Sequence, residues 1–258
     1  MPSITRRSLL AAGALLVIPA CTAPQEEKPQ LSVFAAASLT EALEEASPQF
    51  EEAEVLLTLD SSGKLRDQIK EGAQADVFIS AAQKQMDQLA EAGLIDEASR
   101  FDILENKVVL VVPEGNPAGI EGFDDLATHL EAGDILFAMG NEEVPVGAYT
   151  LRILEHYGLS EDDLVARHLI TYGDNVKAVT AQVSEGTVDA GVIYASDAFS
   201  AGLPAIAVAT EEMCGRVVYP AAVLAGSAQP ELAASYLRFL CGDAGRAAFE
   251  RVGFTPLA

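Results

Sequence analysis

Residues 31–43 read LSVFAAASLTEAL, and this stretch decides the fold. It opens as an apolar strand (Leu31, Val33, Phe34), passes through three alanines and reaches Ser38. From there the apolar positions Leu39, Ala42 and Leu43 fall at helical spacing, and Ser38 followed by Glu41 matches the capping box of a helix start. A strand that runs directly into a helix leaves unpaired backbone N–H groups at the turn, where the helix dipole adds partial positive charge. Such a turn can hold an anion. It is also the ordinary join of any α/β protein, and the stretch alone supports both.

Outward from this turn the chain alternates strand and helix patterns. Strands are expected at 55–59, 75–80, 107–112, 135–139, 168–171, 188–194 and 217–224. Helices are expected at 65–69, 84–92, 123–130, 148–157, 176–184, 196–201, 231–240 and 245–251. Short strands alternating with helices predict an α/β fold whose parallel sheets are covered on both faces. No internal repeat is visible.

At 258 residues the chain can bury a sizeable core, as one large domain or two small ones. Its balance is acidic, 16 basic against 39 acidic residues for a net charge of −23. That charge argues against nucleic acid and anionic membrane surfaces, which need clustered Lys and Arg. Residues 1–20 have the pattern of an export signal: Arg6 and Arg7 precede an apolar run, Leu9 to Ile18, too short to span a bilayer. Thr5-Arg6-Arg7-Ser8-Leu9-Leu10 is similar to a twin-arginine signal, which exports folded chains. Ile18-Pro19-Ala20-Cys21 is similar to a lipoprotein box with Cys21 as the lipidated residue, although Pro19 is atypical; cleavage nearby without lipid is the alternative. Either way the mature chain lies outside the cytoplasm, joined through a polar, proline-containing tether over 21–30.

Four further turns share the small or hydroxyl residues of the first: Asp60-Ser61-Ser62-Gly63, Val144 to Tyr149, Gly173-Asp174-Asn175-Val176, and Tyr194-Ala195-Ser196-Asp197. Asn175 is a candidate N-cap, which leaves the Val176 N–H free, and Tyr194 places a phenol beside a fresh helix start. Singly, each turn reads as a cap. In open α/β sheets, however, ligands sit outside the carboxyl ends of the strands, where such turns converge.

Rival chemistries find little support. No G-x-S-x-G elbow is present, and His129, His156 and His168 sit within ordinary helix and strand patterns, so neither catalysis nor a hydrolase on this fold is expected. No C-x-x-C or paired-His spacing suggests a metal cation. Cys214 and Cys241 remain as candidates for a disulfide, or as two buried thiols.

The segments FAAASLTEAL, SSGKLRDQI, ADVFISA, EVPVGAYT and GVIYASDA together resemble the periplasmic molybdate-binding proteins of ABC importers, and the similarity runs from Leu31 to the C-terminal GFTPL. The resemblance implies a two-lobed periplasmic binding protein of type II, with one lobe from 30–112 plus 218–258, the other from 113–217, and a ligand cleft between them. It implies that an oxyanion is held by the Ser38 and Ser62 hydroxyls, the N–H groups of Val146 and Val176, and the Tyr194 hydroxyl. It further implies a monomer that delivers molybdate or tungstate to a membrane permease without a cofactor. Sulfate, phosphate or phosphonate are the alternative ligands. Two positions depart from the family pattern: Val146 stands where a smaller alanine is usual, and Gly63 where a third serine is common.

The expected ligand chemistry has a physical basis. A fully deprotonated tetrahedral dianion offers only acceptors, so its best site contains only donors. Phosphate retains a proton at neutral pH, and the buried mismatch costs on the order of 1–3 kcal/mol. Asp60 and Asp174 flank the turns, and either carboxylate turned inward would accept that proton.

Overall fold

The computed structural model describes residues 28–258, so the export segment 1–20, Cys21 and the tether to residue 27 lie outside the described residues. In chain order the first part comprises β1 (Gln30–Ala36), a 3-10 turn (Ala37–Leu39), α1 (Thr40–Ala46), β2 (Glu54–Asp60), α2 (Ser62–Lys70), β3 (Val77–Ile79), α3 (Gln83–Glu91) and β4 (Phe101–Asn106). The middle comprises β5 (Val108–Val111), α4 (Phe123–Ala132), β6 (Phe137–Gly140), α5 (Pro145–His156), α6 (Glu161–Ala166), β7 (Ile170–Gly173), α7 (Val176–Ser184), β8 (Ala190–Tyr194), α8 (Ala195–Ala201), β9 (Ala205–Val208) and α9 (Glu211–Cys214). The chain closes with β10 (Val217–Val223), α10 (Pro230–Leu240), α11 (Asp243–Arg251) and β11 (Thr255–Pro256). Among the described residues no helix is long and apolar enough to cross a membrane.

These strands form two sheets, ordered β11-β4-β10-β3-β1-β2 and β7-β6-β8-β5-β9. The apolar strand signals mark their centres: Leu31, Val33 and Ala35 of β1 are fully buried, as are Phe137 and Ala138 of β6. The edge strand β2 keeps Leu56 exposed, as suits a strand covered on one side.

The α/β fold of two helix-flanked sheets is as expected, and the sheets are mixed instead of wholly parallel. The triplets β2-β1-β3 and β7-β6-β8 are parallel, but β10 pairs antiparallel with β3 and β4, and β5 antiparallel with β8 and β9. Both sheets are therefore mixed. In each, the strand that brings the chain over from the other lobe lies beside the third strand of the parallel triplet and runs against it. The two sheets thus share one plan, with β6, β7 and β8 standing where β1, β2 and β3 stand.

The first crossover is corrected as well. The run 107–112, expected to end the first lobe, instead holds β5, which pairs inside the second sheet; the chain leaves the first sheet at Lys107, directly after β4. Sequence patterning missed β4 because Asp102 and Glu105 interrupt its apolar residues, although Ile103 and Leu104 are buried. The chain returns to the first sheet at Val217, where β10 begins. The short elements α6, β9, α9 and β11 also carry too few residues to show a period.

Of the two readings open for Cys214 and Cys241, a disulfide or two thiols, the structure gives the thiols. Cys214 ends α9 on the second lobe and Cys241 follows α10 on the first, and both are free thiols. Burial pushes both thiols above their ordinary pKa, away from reactivity.

Candidate functional site

The shared plan brings the turns after β1, β2 and β3 of one sheet against the turns after β6, β7 and β8 of the other. Between them lies a small cavity of about 10 Å3, room for little more than one water molecule. Ser38, Ser61 and Ser62 line it from the first lobe, with Ala36, Ala37 and Ala81. Val144, Pro145, Val176 and Tyr194 line it from the second.

On the first lobe Ser61 and Ser62 already accept a hydrogen bond from the chain, and Ser38 shares one with the Tyr219 hydroxyl. Ser61 is the N-cap of α2, its side chain accepting from the Lys64 N–H at 3.3 Å. Ser62, fully buried, accepts from the Ala81 N–H at 3.0 Å. Ser38 lies 2.9 Å from the Tyr219 hydroxyl. The capping box expected at Ser38 does not form: Ser38 sits inside the 3-10 turn with its hydroxyl beside Tyr219, and Glu41 bonds Lys177 instead. With their acceptor capacity engaged, the Ser61 and Ser62 hydroxyls have their hydrogens left to give.

On the second lobe the donors are backbone groups at helix starts. Asn175 caps α7, its side chain accepting from the Ala178 N–H at 3.0 Å, as expected. Val176 follows as the first helical residue, where the N–H has no intrahelical partner. Pro145 opens α5 without an N–H to spend, so Val146 carries the first free donor of that helix. Val146 stands one residue behind the cavity wall with its side chain fully buried in the core, which accommodates a residue larger than alanine. Tyr194 closes β8 with its hydroxyl buried and without a hydrogen-bond partner among the described residues. Burial, helped by the nearby Tyr219, Tyr149 and Asp197, raises that phenol well above its ordinary pKa and keeps it a donor.

Charged groups ring the cavity and are paired with one another across the lobes. Asp60 Oδ1 accepts from the Ser61 N–H at 2.7 Å and from Asn175 Nδ2 at 3.1 Å, which turns that carboxylate away from the cavity. Lys64 Nζ lies 3.8 Å from Asp60 and 3.6 Å from the exposed Asp174. Arg66, nearly buried on α2, donates to Glu143 on the opposite lobe at 2.7 Å. Gly63 is what allows that approach, since a Cβ there would lie 2.2 Å from the Glu143 carbonyl oxygen. Lys177 on α7 donates to both oxygens of Glu41 on α1, at 2.6 and 2.7 Å, and its Nζ stands 3.1 Å from Asp197. Burial pushes the Asp197 carboxyl up to about 6, with Lys177 holding it down against that trend. Among the described residues no group of three or more His, Cys, Asp or Glu could hold a metal cation.

The expected residues Ser38, Ser62, Val176 and Tyr194 thus share one cavity, and Val146 sits directly behind its wall. Sequence patterning named Ser61 only as part of its turn and passed over Ala81 and the Tyr219 hydroxyl. Tyr219 lies in VVYPAAV, whose apolar run reads only as a strand; no local signal ties it to Ser38, 181 residues away.

Comparison with known proteins comes to the same place. A family profile described as bacterial extracellular solute-binding protein matches residues 31–255. A provisionally named ABC transporter substrate-binding lipoprotein of Bacillus subtilis, YvgL, is 33% identical over 258 aligned positions, covering 96% of each chain. The molybdate-binding protein ModA of Escherichia coli is 33% identical over 252 positions, covering 95% of this chain and 96% of that one. The solved periplasmic molybdate-binding protein of Azotobacter vinelandii superposes with a TM-score of 0.76 at 24% identity, covering 88% of this chain and 100% of that one, a likeness of fold.

Proposed function

We propose, from the premise that this chain belongs to the bacterial extracellular solute-binding protein family, that it captures molybdate for an ABC importer. The observation that carries this reading is the donor-only wall: hydroxyls of Ser38, Ser61, Ser62 and Tyr194 and helix-start amides line one small space, and among the described residues no carboxylate does. Relatives named as molybdate-binding proteins, aligned over nearly the whole chain, supply the identity of the anion.

Three helix starts, those of α2, α5 and α7, converge on the cavity and add partial positive charge without a formal cation. They act against a net charge of −23, whose distant field is screened over about 10 Å at ordinary salt. The anion would bridge the two lobes, Ser38 and Ser62 giving hydroxyl hydrogens from one side and Val146, Val176 and Tyr194 giving theirs from the other. Rim pairs such as Arg66–Glu143 and Lys177–Glu41 then hold the closed form, which presents both lobes together to a permease. Tungstate, with the same charge and shape, is bound alike. The process is capture and release; it calls for no cofactor and breaks no bond. Export by the twin-arginine route, a lipid on Cys21 and a monomeric working state complete the proposal, supported by the N-terminal sequence and by the lipoprotein name of the Bacillus relative.

Equilibrium dialysis of the mature, phosphate-free chain against molybdate tests the reading. It predicts one molybdenum bound per chain, displaced by tungstate. Failure to retain molybdate, with phosphate retained in its place, would overturn it.

A further inference from the structure

We infer that Asn106 and Tyr219 form a polarity relay that fixes the direction of the Ser38 hydroxyl, making Tyr219 a positioning residue for selectivity between oxyanions. The inference rests on the oxyanion reading above and goes beyond it to residues outside the cavity wall.

The relay can be followed proton by proton. Asn106 is buried at the end of β4, and its Oδ1 accepts from the Lys107 backbone N–H at 2.8 Å. A backbone N–H can only donate, so the oxygen of the amide faces Lys107 and the NH2 faces the other way. That NH2 donates to Ser196 Oγ at 2.9 Å and to the Tyr219 hydroxyl at 3.3 Å. The Tyr219 oxygen therefore accepts from Asn106 and has one hydrogen of its own to place. Tyr219 is fully buried, and among the described residues its remaining hydrogen-bond partner is Ser38 Oγ at 2.9 Å. Turned towards Tyr194, its other hydroxyl neighbour, that hydrogen would have no partner within bonding distance and would be a buried orphan. Tyr219 thus donates to Ser38, and the Ser38 hydrogen is left pointing out of the network, into the cavity.

Two features make this more than packing. Asn106, Tyr219 and Ser38 all belong to the first lobe, on β4, β10 and the turn after β1, so the bonds from Asn106 to Tyr219 to Ser38 do not cross between the lobes. A serine hydroxyl free to rotate could meet either a donor or an acceptor. One whose oxygen is already occupied meets acceptors better, which is the property that separates a fully deprotonated oxyanion from hydrogen phosphate.

The test is a double-mutant cycle on molybdate affinity with Tyr219→Phe, Ser38→Ala and the pair, together with competition by hydrogen phosphate. Tyr219→Phe keeps the ring and should weaken molybdate binding about three- to tenfold and narrow its margin over hydrogen phosphate. In the Ser38→Ala background the same change should cost nothing further. An equal loss in both backgrounds would mean that Tyr219 only packs, and no loss in either would remove the relay. Should Tyr219→Phe fold poorly, Asn106→Asp gives the opposite handle: its carboxylate accepts from Tyr219, turns Ser38 around and should weaken molybdate more than tenfold. That loss should shrink once Tyr219→Phe is added, whereas a loss that persists unchanged would mean only added charge and would overturn the relay. A ligand-free readout separates this inference from the reading beneath it. In the unliganded chain the buried Tyr219 hydroxyl proton should show a nuclear Overhauser contact to the Ser38 β protons, and its absence would overturn the relay even if molybdate binds. If wild-type chain retained no molybdate, the oxyanion reading would fall while this contact still decided the relay.

Discussion

The two lobes meet the same cavity with the same strand plan but with different chemistry. The first offers serine hydroxyls, each with its oxygen engaged by its own lobe: Ser38 with Tyr219, Ser61 with the Lys64 N–H, Ser62 with the Ala81 N–H. The second offers backbone N–H groups at the starts of α5 and α7 and a single phenol, Tyr194. A side-chain donor can be deleted by substitution; a backbone donor survives almost any residue but proline. The lobes should therefore respond differently to mutation even if they contribute equally to the bound anion.

The largest expected effect is on the hydroxyl side. Ser38→Ala removes one charge-assisted hydrogen bond and should weaken anion binding about ten- to a hundredfold, read as a dissociation constant by calorimetry. An unchanged constant would break the comparison at its first lobe. Tyr194→Phe comes next, at roughly tenfold in affinity. Because the Tyr194 hydroxyl is buried without a partner, its removal should leave the melting temperature of the ligand-free chain unchanged or raised. A falling melting temperature would mean that the phenol serves the fold instead of the ligand. The smallest effect on affinity belongs to Val146→Ala, within about threefold, since the proposed site uses only its N–H and the substitution preserves it. The same change empties buried volume and should cost roughly 1–3 kcal/mol of stability. Affinity lost without stability at Tyr194, and stability lost without affinity at Val146, would sharpen the contrast between side-chain and backbone donors.

Much of this organisation was legible in residues 31–43 and in the alternation that follows, because strand and helix periods are local properties. The site was legible where function and local pattern coincide, as at Asn175, whose capping role and free helix start belong to one turn. It was misread where a distant partner decides. Ser38 and Glu41 have the spacing of a capping box, but Tyr219 takes the serine and Lys177 takes the glutamate, and neither lies near them in sequence. β4 was hidden for a related reason: Asp102 bonds Gln83 and Glu105 pairs with Arg216, so charges that read as a loop are satisfied on the rim of a strand. With β4 unseen, the most apolar strand of the chain, β5, was assigned to the wrong lobe.

The measurement that bears most directly on the donor-only cleft compares sulfate with hydrogen phosphate, each competed against bound molybdate at mildly alkaline pH. The two anions are close in size and carry the same charge there, and they differ chiefly in the proton that phosphate retains. A wall made only of donors predicts that sulfate displaces molybdate about ten- to a hundredfold more effectively than phosphate, whatever its absolute affinity. Equal displacement, or a preference for phosphate, would mean that an acceptor faces the ligand, and the account of this cleft would be wrong.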